Sequence, residues 1–87
     1  MCFEVYILKS LATGKYYCGQ TEDLEKRQIR HNSGINKSTK HGVPWELVIS
    51  FRCASRSEAV ILEKKIKKRG ISRYLADLEN SDRKSVV

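Results

Sequence analysis

Glu63 stands where a surface carboxylate would not be expected. If Ser55 caps a helix, Ala59, Leu62 and Ile66 recur at the i, i+3, i+7 spacing of an inward stripe, and Glu63 lies beside Leu62 on that stripe. A carboxylate withdrawn from water needs a cation or a hydrogen-bond donor. Lys64 and Lys65 project to other faces, so the partner is expected from elsewhere in the chain or from a bound cation. Arg27 and His31, four residues apart on an earlier predicted helix, share a face, and Tyr6 and Tyr17 precede them. These residue types suit phosphodiester chemistry. Arginine offers charge to a phosphoryl oxygen, a carboxylate holds a hard divalent cation, and a tyrosine or histidine orients or deprotonates water. Each also has a structural role to weigh: Glu63 as ion-pair partner of Arg27 or a lysine, Arg27 paired with Asp23 at i−4, the tyrosines as packed strand aromatics.

The elements that must position these groups are legible. Phe3, Val5 and Ile7 alternate with Glu4, Tyr6 and Leu8 as a strand, and Thr13-Gly14 turns the chain into a second strand ending at Gly19. Thr21 is placed to cap a helix with Glu22, Asp23 and Glu25 in its first turn, running to about Asn32. Ser33-Gly34 stops it, and a polar loop leads to Pro44. Trp45 to Phe51 is a strand; Ser55-x-x-Glu58 is a capping box opening a helix that Gly70 closes. Ser72 is placed to cap a third helix with Ile71, Tyr74, Leu75 and Leu78 on one side, and the polar tail beyond Asn80 is expected to fray. The order β-β-α-β-α-α predicts an α/β domain, a small three-stranded, mainly antiparallel sheet flanked by helices.

Eighty-seven residues make one domain, 1–87, with its core at about 3–80. No apolar run approaches the roughly 20 residues of a membrane span, and the N-terminus lacks a signal pattern, so the expected location is cytoplasmic with no membrane partner. The three cysteines Cys2, Cys18 and Cys53 form no C-x-x-C pair and read as reduced thiols, neither disulfide framework nor zinc site. The net charge of +7 is concentrated: residues 26–40 carry five Lys or Arg and residues 64–73 carry six, with no acid in either. Such clustering suits a polyanion, and one cluster contains Arg27 while the other borders Glu63.

The chain resembles the GIY-YIG nucleases, in particular their small bacterial members. The resemblance rests on Glu4-Val5-Tyr6, Tyr17-Cys18-Gly19, Asp23-Leu24, Arg27, His31-Asn32 and Glu63 with Ile66-Lys67-Lys68, in that order over residues 3–68. Glu4 and Val5 replace the glycine and isoleucine of the first motif, Cys18 the isoleucine of the second, and Gln20 stands where excision-repair relatives carry a lysine. The resemblance implies a metal-dependent endonuclease that hydrolyses DNA by water attack, leaving a 3′ hydroxyl and a 5′ phosphate, in repair or recombination. It implies one Mg²⁺ or Mn²⁺ on Glu63, Arg27 clamping the phosphate, and Tyr6, Tyr17 and His31 around the attacking water; which tyrosine acts is left open. Lys26, Arg30, Asn36, Lys37, Ser38, Thr39, Lys67 and Lys68 are candidate phosphate contacts. RNA as substrate and a recruiting protein partner also stay open. The departures motivate one alternative, a nucleic-acid-binding module with weak or lost turnover.

Overall fold

Because β1 (Phe3–Ser10) is buried at Val5, Tyr6, Ile7 and Leu8 alike, it has to be covered on both faces. In the computed structural model, which describes residues 2–34 and 40–86 with side chains through Glu79, it is the middle strand. The order is β2 (Tyr16–Thr21), β1, β3 (Trp45–Cys53), and both pairings are antiparallel. Alternation alone would leave one face to water. Here Val5, Ile7, Cys18 and Cys53 pack under Ala59 and Ile66 of α2 (Arg56–Arg69), with Leu62 and, from α3 (Ile71–Val86), Tyr74 and Leu75 alongside. On the opposite face, Tyr6, Leu8 and Trp45 pack with Tyr17, Leu47, Val43 and Leu24, the last from α1 (Leu24–Asn32).

Local chemistry sets the boundaries. Asp23, rather than Thr21, is the N-cap of α1: its carboxylate accepts the Lys26 N–H at 3.1 Å, and Thr21 Oγ1 instead accepts the Asp23 N–H in a preceding turn. The acidic run shifted the expected start because Asp caps as well as Thr. Ser55 caps α2 as expected, accepting from the Glu58 N–H, while Glu58 reaches back to the Ala54 N–H at 2.8 Å. Gly70 at φ 95 closes α2, and α3 (Ile71–Val86) begins at once, one residue before the expected cap, and continues past Asn80. Asn32, in the last turn of α1, accepts the Trp45 N–H and donates to the Trp45 carbonyl, tying α1 to the start of β3. α1 therefore has a fixed seat beside the sheet.

Candidate active site

Glycine 19 lies directly opposite Tyr6 in the β1–β2 register. Its missing side chain is what lets the Tyr6 ring lie across the edge strand: a Cβ at position 19 would stand 2.7 Å from Tyr6 Oη and 2.9 Å from Cζ. The hydroxyl is thereby carried to α1, where it meets His31 Nε2 at 3.0 Å. Tyr17 completes the cluster, its ring edge-on to His31 at 4.8 Å and tilted against Tyr6 at 6.2 Å. His31 is 1% exposed and Tyr6 2%. Arg27, half-buried one turn before His31, is close enough for its charge to act on both.

The environment sets protonation. Burial, and then the neighbouring Tyr17, raise the Tyr6 phenol above its ordinary value, with Arg27 pulling partly the other way. Burial and then Arg27 hold the His31 imidazolium below the usual histidine value, so the ring is neutral at pH 7 and, in the tautomer protonated on Nδ1, accepts the Tyr6 O–H. Burial, followed by the Glu63 carboxylate, pushes the Cys18 thiol up to about 11, which keeps it an inert core group.

Glu63 lies on α2, which packs over β2 and β1 on the other face. Its charge acts on Tyr6 and Cys18. Of the partners left open, a lysine is the one found: Glu63 Oε2 accepts from Lys67 Nζ at 2.8 Å, on its own helix at i+4, and its side chain is 19% exposed against 53% for Lys67. The helix repeat stacks positions 63 and 67, so no distant cation is required. The Arg27–Asp23 alternative also falls, since Asp23 spends its carboxylate on the cap and no ion pair to Arg27 occurs among the described residues. As a cation site, Glu63 offers one hard oxygen group. Among the described residues no group of three or more His, Cys, Asp and Glu is gathered to make a protein-only cage. This donor set fits magnesium or manganese, which keep several waters and take one or two carboxylates together with substrate phosphate oxygens.

The other expected contacts divide. Lys26 and Arg30 are exposed on α1 next to the Arg27–His31 face, and Lys68 is exposed on α2 away from Glu63. Asn36, Lys37, Ser38 and Thr39 lie outside the described residues. One residue of the site escaped the sequence reading, and Gln20, named there only for a missing lysine, joins it. Arg56 joins Phe3, Gln20 and Arg27 around a crevice of about 270 Å³ at the end of β2. Gln20 Oε1 is buried there without a hydrogen-bond partner among the described residues, a state that costs about 1–3 kcal/mol. The basic residue after the Ser55 cap was the available signal for Arg56.

The profile of the GIY-YIG catalytic domain matches residues 2–74. The chain is 35% identical over 81 residues to a UPF0213 protein of Listeria monocytogenes, covering 88% of this chain and 90% of that one. It is 34% identical over 86 residues to the structure-specific endonuclease subunit slx1 of Schizosaccharomyces pombe, covering 91% of this chain and 32% of slx1. A solution NMR structure of a UPF0213 protein from Bacillus halodurans superposes with a TM-score of 0.57 at 32% identity, over 90% of this chain and 85% of that one. With Tyr6, Tyr17 and His31 in one cluster on which the charges of Arg27 and Glu63 act, and a domain match spanning most of its length, the chain belongs to the GIY-YIG nuclease superfamily, as a relative of the UPF0213 proteins.

Proposed function

We propose that this nuclease domain is a metal-dependent endonuclease acting on DNA phosphodiester bonds, non-specific or structure-directed rather than reading a long sequence. The carrying observation is the Tyr6 Oη to His31 Nε2 contact, with the charges of Arg27 and Glu63 both acting on Tyr6. Arg27 grips the phosphoryl oxygens with its planar fork. The raised Tyr6 pKa makes a free phenolate costly, so Tyr6 works as a relay: its oxygen takes a proton from the attacking water as its own proton passes to neutral His31. Tyr17 holds the imidazole edge-on in that geometry. Glu63 would hold Mg²⁺ or Mn²⁺, and Lys67 would give up Oε2 when it does. Bound there, the ion supplies charge stabilisation to the phosphoryl group in the transition state.

The Lys67–Glu63 pair favours one alternative, a nucleic-acid-binding module whose carboxylate stays closed by its lysine. Cleavage of supercoiled, duplex, flap, junction and single-stranded DNA, with parallel RNA substrates, decides between them. The endonuclease reading expects cuts with Mg²⁺ or Mn²⁺ that leave a 5′ phosphate and stop with EDTA. Salt-sensitive binding without cutting on any substrate would leave the binding module. The relative slx1 is named as a subunit, which supports adding a recruiting protein to this reading. Repair or recombination is the process such a partner would serve.

A further inference from the structure

The second basic segment does not form one surface. At about 100° per residue, Lys67 stands about 40° round α2 from Glu63, while Lys68, Lys65 and Arg69 stand about 140°, 200° and 240° round, on the far side of the helix. Lys65, Lys68 and Arg69 join Arg73 of α3 around an open groove of about 400 Å³. Two of the segment's six cations are already matched, Lys67 by Glu63 and Arg69 by a two-point pair with Asp77 at 2.8 and 3.1 Å. Lys64, Lys65, Lys68 and Arg73 are all exposed and have no carboxylate partner among the described residues. Unmatched like charges held along one groove repel one another, and a polyanion relieves that repulsion.

A helix with its side chains is about 10–12 Å across, so a straight duplex seated at the Tyr6–Glu63 edge lies against one side of α2 and leaves the other free. We propose that the Lys65–Lys68–Arg69–Arg73 groove holds the phosphate backbone of a second nucleic-acid segment, the other arm of a branched substrate. The proposal rests on the DNA reading above. It makes branch selectivity a matter of two charged faces set by one helix, without contacts to bases.

The test uses the Lys65→Gln/Lys68→Gln/Arg73→Gln variant, with Lys68→Gln as a milder companion and thermal melting to verify both folds. Binding to a four-way DNA junction and to a short linear duplex is followed by anisotropy and sedimentation in EDTA. The wild type should seat two short duplexes and the triple variant one. The junction slope of log K against log[salt] should shrink by roughly 2.7 in the triple variant and by about 0.9 in Lys68→Gln, at about 0.9 per phosphate contact. An unchanged junction slope overturns the proposal, as does complete loss of duplex binding, which would make all the cations one face. Loss of binding to phosphatidylglycerol vesicles with junction binding intact overturns it in favour of a membrane surface. If the wild type binds neither DNA, the nuclease reading falls as well; if it binds and cuts and the triple variant matches it, only the second surface falls.

Discussion

Replacing Gly19 by alanine tests the geometry at its tightest point. The new Cβ would stand 2.7 Å from Tyr6 Oη, 2.9 Å from Tyr6 Cζ and 3.1 Å from Tyr17 Cε1, where ordinary contact begins at 3.4 Å. Position 19 does not have a positive φ, so alanine brings no backbone strain and the effect is steric. Tyr6 has nowhere easy to go, being buried, bonded to His31 and in contact with Tyr17. The ring must retreat by about 0.5–0.7 Å; overpacking of this kind costs about 1–3 kcal/mol, and a misplacement on the order of 1 Å at a reacting group costs on the order of 10²-fold in rate. A domain of this size loses roughly 4–8 °C of melting temperature per kcal/mol. Gly19→Ala is therefore expected to melt lower by about 4–24 °C and to lose about 10²-fold in kcat/KM while binding DNA within about twofold. Tyr6→Phe removes the nearest atom of the clash, so the double variant should be less destabilised than the sum of the two single changes. Wild-type kcat/KM in Gly19→Ala would refute the reasoning, because the Tyr6 hydroxyl would then be free to shift without consequence for the chemistry.

Glu63→Gln removes an i, i+4 pair whose lysine is half exposed, so stability should change by less than about 0.5 kcal/mol while Mg²⁺-dependent cleavage is abolished and DNA binding holds. A large loss in melting temperature with the metal response intact would refute the metal role. His31, its pKa lowered in the fold, is neutral where the unfolded chain's histidine near 6.5 begins to take up protons. Its contribution to stability is thus complete above about 6.5 and lost as pH falls through the lower folded value; cleavage should decline over the same acid range, and melting curves from pH 7 to 5 should fall less steeply in His31→Gln. Asn32→Ala deletes both bonds to the Trp45 backbone and strands that N–H and carbonyl, costing about 1–3 kcal/mol by chemical denaturation, with a larger fall in kcat than in DNA affinity because α1 carries Arg27 and His31. Arg27→Ala should lose about 3 kcal/mol of transition-state stabilisation in kcat/KM with a smaller change in binding; equal losses would make Arg27 an ordinary phosphate contact.

Much of the architecture follows from local signals. Period-two alternation, Thr13-Gly14, the Ser55 capping box and Gly70 mark turns and helix ends within a few residues of themselves, so a linear reading captures them. The α1 start, Thr21 for Asp23, was misplaced because two residues two positions apart can both cap, and α3 begins at Ile71, one residue before Ser72. The shared face of Arg27 and His31 is likewise a property of helix repeat alone.

Other features depend on contacts that sequence spacing does not encode. Whether β1 would be covered on one face or two was decided by where α1 and α2 pack, and so was the burial that neutralises His31 and raises Tyr6. The helix repeat allows Glu63 to meet Lys67; only the packed side chains show that it does, in place of Arg27 or a residue from another element. Gly19 reads in the sequence as the end of a strand, and the register makes it the gap through which Tyr6 reaches His31. The sequence by itself determined the residue types, the helix faces and the order of elements, because those depend on neighbours within a few positions. The tertiary structure decided protonation, pairing and distance at the site, because desolvation and steric fit depend on which remote segments share the same few ångströms.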